Sequence, residues 1–306
     1  MITKATVYFS HQYDPYRNLA FEETLLKQVA QDEIILYLWQ NQDTVVIGRN
    51  QSAWQECDVA LLEKENGHIA RRMSGGGAVY HDLGNVNFTF LSTCQNHDVK
   101  RQLSIIQKAV GSFGLEATFT GRNDLAIDNR KFSGNAYYSN GTASLHHGTL
   151  LIQSDFERMQ RYLTPSKQKL AAKGIASVES RVANLHELAS DITPESMRSA
   201  LVSAFEDAYG LSASTHCLDP SLHLELEEKY KSHEWIFDRN CEFDQIIEIQ
   251  GNDALYTMHL KVSHGMIDNV KVYCDAMDPQ AAQILEQKLP GTPYVREAIE
   301  QILHNM

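Results

Sequence analysis

Two hydrophobic periods alternate along this 306-residue chain: a period of two that predicts strands, and one of three to four that predicts helices. Residues 5–10 read as a short strand. Asp14-Pro15 reads as a helix start, with Asp as cap and Pro in the first turn, and Phe21, Leu25 and Val29 give that helix an apolar face. Ile34–Trp39 and Thr44–Ile47 read as strands on either side of the turn-forming Asn41-Gln42-Asp43. A helix is predicted over Trp54–Glu65, ending at Gly67. Strands follow over His68–Arg72, Ala78–His81 and Val86–Leu91. The last alternates Val and Phe with Asn and Thr, the pattern of a strand buried on one face.

Asp98 caps a predicted helix that runs to Phe113. Strands are expected at Leu115–Phe119, Asp124–Ile127, Lys131–Tyr138 and Leu145–Ile152, then a helix over Asp155–Leu163 capped by Ser154. Residues 164–184 break the pattern. Lys167, Lys169, Lys173 and Arg181 sit among Ser, Ala and Gly, which reads as a long basic loop of the lid or linker kind. Pro194–Tyr209 is a helix behind Thr193, and Leu224–Lys231 a charged one. Past a boundary near 245, strands at Ile246–Ile249, Leu255–Ser263 and Met266–Tyr273 precede two closing helices.

Length suggests about two domains. A hydrophobic fraction of 43% suffices for a buried core. The formal net charge of −12 argues against a nucleic-acid binder, though a local basic cleft stays compatible with it. Cys57, Cys94, Cys217, Cys241 and Cys274 are scattered, with no CxxC pair to suggest zinc or a disulfide framework. No signal-peptide pattern and no membrane-length apolar run occur, so a cytoplasmic protein with no membrane partner is expected.

The densest chemistry lies in Arg71-Arg72-Met73-Ser74-Gly75-Gly76-Gly77-Ala78-Val79-Tyr80-His81-Asp82. Three glycines suit a backbone passing close to an anion, with Arg72 adding a fork of donors. A loose or bulged connection is the competing reading. No Gly-Lys-Ser/Thr follows, and the strand-to-helix context of a dinucleotide fingerprint is missing. In Arg130-Lys131-Phe132-Ser133-Gly134, alternation places Lys131 and Ser133 on one face. There Lys131 could hold a carboxylate against a phosphate, or it could simply be solvated. Asp124 could be a Mg²⁺ carboxylate or a turn residue. His146 and His147 should face opposite sides, one into a pocket and one outward. Neither they nor a His81–Asp82 pair has the spacing of a zinc site or a serine-hydrolase triad.

Together these segments resemble the lipoate–protein ligase A family. The resemblance rests on the 71–85 run, on Gly121-Arg122-Asn123-Asp124-Leu125, on Arg130-Lys131-x-Ser133-Gly134-x-Ala136, on His146-His147-Gly148-Thr149 and on the 169–182 segment. It implies an α+β protein with mixed β-sheets flanked by helices: a class II synthetase-like, biotin/lipoate-ligase catalytic domain over 1–244, with its core at about 31–213, and a small C-terminal α/β accessory domain over 245–306. It further implies that lipoate and ATP with Mg²⁺ form lipoyl-AMP. The lipoyl group would then pass to a lysine of apo-lipoyl domains, on 2-oxoacid dehydrogenase E2 or the glycine cleavage H protein. Arg72, Gly77, Ala78, Val79 and Tyr80 would contact ATP, and Lys131 both ATP and lipoate. Ser74, His81 and His147 would line the acyl pocket, the 167–182 loop would close over the adenylate, and its cations would meet an acidic acceptor. A cysteine-dependent acyl transferase of the same fold is the runner-up, but no cysteine falls in the Lys131 or His147 motifs. A biotin ligase would carry Gly-Arg-Gly-Arg-x-Gly-Arg, which is absent. A non-catalytic lipoate binder would have little need of Lys131.

Overall fold

A computed structural model of the chain describes residues 2–120, 123–163, 182–237 and 245–305. Its strands, in chain order, are β1 (Lys4–Phe9), β2 (Glu33–Trp39), β3 (Thr44–Ile47), β4 (His68–Arg71), β5 (Val79–His81), β6 (Asn85–Thr93), β7 (Thr118–Thr120), β8 (Asp124–Ile127), β9 (Arg130–Ser139), β10 (Ala143–Leu151), β11 (Ser214–Cys217), β12 (Gln245–Gln250), β13 (Leu255–Ser263) and β14 (Met266–Cys274). They form three sheets: a mixed eight-stranded sheet in the order β11-β1-β2-β6-β10-β9-β8-β7, a small sheet β4-β3-β5, and an antiparallel sheet β12-β13-β14.

Strand β2 shows how the layers are built. Every one of its residues is buried. Ile34, Leu36 and Leu38 pack with Val86, Phe88 and Phe90 of β6 against helices Val99–Gly111 and Pro194–Tyr209. Ile35, Tyr37 and Trp39 point the other way, onto helix Pro15–Gln28 and the small sheet. A strand covered on both faces needs a continuous apolar run, and Ile-Ile-Leu-Tyr-Leu-Trp supplies one. Each such side chain, fully buried, stabilises the fold by about 1.5–3 kcal/mol. The last sheet has a separate core with helices Ala281–Lys288 and Arg296–His304.

Several expectations change. Strand β6 is not half-buried: Asn85, Asn87 and Thr89 are as buried as its Val and Phe residues, because its polar face is covered by helix Pro15–Gln28 and the small sheet β4-β3-β5. The helix expected over 54–65 is two short helices, Ala53–Glu56 and Val59–Lys64. Asp58 between them caps the second by accepting from the Leu61 N–H. Asp155, not Ser154, caps Phe156–Tyr162, accepting from the Arg158 N–H. Strand β11 was not anticipated. Its Ser-Thr-His-Cys carries no apolar pattern, and it exists by parallel backbone pairing with β1. Helix His233–Phe237 was likewise unforeseen. Of the basic loop expected at 164–184, residues 164–181, with Lys167, Lys169, Lys173 and Arg181, lie outside the described residues, as do Cys241 and Arg122.

Candidate active site

The small sheet faces the large one across a cavity lined by residues of both sheets. Strand alternation decides who enters it. On β5, Val79 and His81 line the cavity, while Tyr80 points to the opposite face, where its hydroxyl donates to Asp43 (2.9 Å). Leu19, Trp39 and Val46 add apolar wall.

The glycine run is glycine for three separate reasons. A Cβ on Gly75 would stand 2.1 Å from the Ala276 carbonyl of the C-terminal unit. Gly76 has φ +88° and donates its N–H to that same carbonyl (2.8 Å). A Cβ on Gly77 would meet nothing within 4 Å, because Gly77 borders the cavity. Arg72 braces the run from beneath. Its guanidinium donates to the carbonyls of Val46 (3.1 Å), Gly75 (2.7 Å) and Gly77 (2.8 Å), and its Nε to Ser74 Oγ (3.0 Å). Burial pulls its pKa down to about 10, against an opposing pull from Glu22.

From Ser74 the bonds continue to a histidine. Ser74 Oγ meets His147 Nε2 at 2.6 Å, and His147 Nδ1 donates to Glu22 Oε1 (2.8 Å). Glu22 also accepts from Thr89 Oγ1 (2.6 Å), which in turn accepts from Trp39 Nε1 (3.0 Å). This buried chain fixes the ring of His147 at the cavity wall. Ser74 itself does not line the cavity but stands behind His147. His146 takes the other face of β10, as alternation requires. It turns into the core rather than outward, bonding Gln102 (3.0 Å) and Asn135 (2.8 Å), and burial holds its pKa well below the usual value.

Lys131 reaches the cavity through a local irregularity. Leu125 pairs with Ser133 and Ala126 with Lys131, so Phe132 is the extra residue of a β-bulge and enters the core. Ser133 is fully buried, and the expected shared face of Lys131 and Ser133 gives way to Lys131 leaning over Gly134. Lys131 Nζ pairs with Asp124 Oδ1 at 2.8 Å, with both side chains about a third exposed (37% and 35%). Such a partly exposed pair is worth about 0–1 kcal/mol, so Lys131 can re-pair with a ligand at small cost.

The structure therefore brings Arg72, Gly77, Ala78, Val79, His81, Lys131 and His147 to one cavity, sets Asp124 beside Lys131, and leaves Ser74 and Tyr80 outside the lining. Sequence reasoning missed Trp39, Asn87 and Glu22. Glu22 had a signal, since a glutamate three residues after Leu19 and four before Leu26 falls inside an apolar helix face. No described cysteine lines the cavity. Burial pushes the thiols of Cys57 and Cys274 up to about 12, which suits inert core residues. No group of three metal-ligating side chains occurs among the described residues, and no described helix is long and apolar enough to cross a membrane.

Comparison with known proteins agrees with this geometry. A family model for the lipoyl protein ligase A/B catalytic domain matches residues 14–206, and one for the bacterial lipoate protein ligase C-terminus matches residues 243–306. The curated lipoate-protein ligase A of Bdellovibrio bacteriovorus is 40% identical over 310 aligned positions, covering 98% of this chain and 91% of that protein. The crystal structure of P. falciparum LipL1 in complex with lipoate matches with a TM-score of 0.84 at 30% identity, covering 97% of this chain and 93% of its own. A bipartite lipoate protein ligase of Thermoplasma acidophilum, described with its E2 lipoyl domain, gives 0.65 at 25% identity, over 78% of this chain and 98% of its own.

Proposed function

The chain belongs to the lipoyl protein ligase A/B family and ligates lipoate to protein, and from that premise we propose how its cavity does so. In the first step a carboxylate oxygen of lipoate attacks the α-phosphorus of ATP. The new P–O bond forms as the α–β phosphoanhydride breaks, and pyrophosphate leaves. In the second step a lysine ε-amine of an apo-lipoyl domain, on 2-oxoacid dehydrogenase E2 or H protein, attacks the acyl carbon. The C–N bond forms, the acyl C–O bond breaks, AMP leaves, and the amine's surplus proton goes to solvent.

The observation that carries this reading is Lys131, a cation placed where an apolar cavity meets the open face of Gly77. There it draws the lipoate carboxylate and an α-phosphate together and offsets the charge that develops at phosphorus. Arg72, through its carbonyl bonds, holds the glycine run so that Gly77, Ala78, Val79 and the main chain of Tyr80 can meet the nucleotide. His81 and His147 bound the acyl chain, and Ser74 acts through His147. Asp124 supplies one hard oxygen donor beside Lys131. That fits Mg²⁺ arriving with ATP, since Mg²⁺ is commonly bound by one or two carboxylates plus phosphates and water. The ion would neutralise phosphate charge.

Residues 1–244 would carry the catalysis and 245–306 would form an accessory domain. The separate core of the last sheet and its own family-model match support that division. The protein would work in the cytoplasm. Intact-mass measurement of an apo-lipoyl domain incubated with lipoate, with and without ATP, tests the reading. Modification only with ATP is expected, and unchanged modification without ATP overturns it.

A further inference from the structure

The inner wall of the cavity holds a donor without a partner. His81 Nδ1 faces two side-chain amides, Asn41 Nδ2 at 3.2 Å and Asn87 Nδ2 at 3.5 Å. Both amides are oriented by other bonds. Asn41 Oδ1 accepts from Asn18 Nδ2 (3.0 Å), and Asn87 Oδ1 accepts from Asn85 Nδ2 (2.9 Å). Each therefore presents an N–H to His81 Nδ1, which must accept, and the ring proton sits on Nε2. Burial, with Arg72 and His147 nearby, drives the ring's pKa down to about 3, so the imidazole stays neutral. Nε2 is buried without a hydrogen-bond partner among the described residues, on a ring that lines the cavity and packs edge-on against Trp39 with centroids 6.1 Å apart.

A buried N–H left without an acceptor is costly, and native proteins keep few of them. His81 is almost fully buried, whereas Lys131, the partner of the lipoate carboxylate in the reading above, is partly exposed. An acyl chain whose carboxylate sits at Lys131 presents its far end to the buried wall. In lipoate the heteroatoms at that end are the two ring sulfurs. Sulfur is a weak acceptor, and it also gains from contact with an aromatic edge such as that of Trp39. We propose that His81 is the residue that selects a sulfur-bearing ring: its Nε2–H donates to a dithiolane sulfur, so lipoate is preferred over a hydrocarbon acid of the same shape. The proposal rests on the ligase reading and goes beyond it, because it assigns the discrimination between acyl groups to one oriented N–H. Asn41 and Asn87 are the positioning residues that fix the tautomer.

The test compares two acids in acid-dependent ATP–pyrophosphate exchange with the full-length protein: lipoate, and 5-cyclopentylpentanoate, which keeps the ring shape and replaces both sulfurs by methylenes. The wild type is expected to favour lipoate in kcat/KM by roughly tenfold, the scale of one modest hydrogen bond. In His81→Phe, which keeps a ring against Trp39, the ratio should fall toward one. His81→Gln, which can still offer an N–H, should retain part of the preference. An equal ratio in wild type and His81→Phe overturns the proposal, and so does a wild type indifferent to the two acids, a result that needs no variant to fold. If the wild type activates neither acid, the ligase reading fails instead.

Discussion

At the inner wall of the cavity, Trp39 and His147 are tied into buried hydrogen bonds that run through Thr89, Glu22 and Ser74, and His81 is held by Asn41 and Asn87, whereas at the mouth the side chains of Lys131 and Asp124 pair, among the described residues, with each other and stay about a third exposed (37% and 35%). The two regions serve different steps. A buried network is costly to rearrange, so the wall keeps its shape and can discriminate between acyl groups. A half-exposed ion pair is cheap to break, so on the proposed reading the mouth would exchange Asp124 for the carboxylate and phosphate of the substrates. Substitutions at the mouth should therefore remove chemistry and spare the fold, and substitutions behind the wall should cost stability first.

The largest effect is expected from Lys131→Ala. Acid-dependent pyrophosphate exchange should fall by about 10²–10³, the scale of losing one charge-stabilising group. Its unfolding free energy from urea denaturation should stay within about 0.5 kcal/mol of wild type. A large loss of stability would erase the distinction between mouth and wall. Behind the wall, Glu22→Ala strands His147 Nδ1–H and the Thr89 hydroxyl and should destabilise by about 2–4 kcal/mol in denaturant unfolding. Glu22→Gln, which keeps an acceptor, should cost less than half of that.

Acid should act on the buried rings. His81, with its pKa lowered to about 3, and His146, held well below its usual value by burial, stay neutral when folded and titrate near 6.5 when unfolded. Below about pH 6.5 the unfolded chain takes up protons that the folded rings refuse. Stability should thus decline as pH falls from about 6.5 toward 4, by up to about 1.4 kcal/mol per pH unit for each ring. Urea midpoints across that range check the sign, and a rise on acidification would contradict it. The smallest change in stability is expected at Gly77→Ala, where a Cβ meets nothing within 4 Å. Its melting temperature should hold while KM for ATP rises several-fold. Gly75→Ala, which would drive a Cβ into the Ala276 carbonyl, should weaken the contact between the two units instead.

The difference between wall and mouth also explains what the sequence made legible. The mouth is written locally: Arg72, the glycines, Asp124 and Lys131 lie in short motifs whose chemistry shows in their composition. The strands β2, β3 and β13 announce themselves by apolar runs or alternation. The wall is assembled from afar. Glu22, Thr89 and His147 come from a helix and two strands and meet only once the sheets have packed. The Asn and Thr residues of β6 looked like a solvent face, because alternation reports two unlike faces and not what covers the polar one. The bulge at Phe132 changes which neighbour shares a face with Lys131, and a one-residue irregularity leaves no periodic trace.

The account stands most directly on an acyl-adenylate held in this cavity. The decisive measurement is a single-turnover chase: the protein is mixed with lipoate and Mg-ATP without acceptor, desalted, and then given an apo-lipoyl domain without ATP. The account predicts lipoyl-AMP retained with the protein and discharged onto the acceptor, and none formed by Lys131→Ala. Lipoyl transfer with no adenylate detected, or a lipoyl group found on a cysteine of the enzyme, would contradict it.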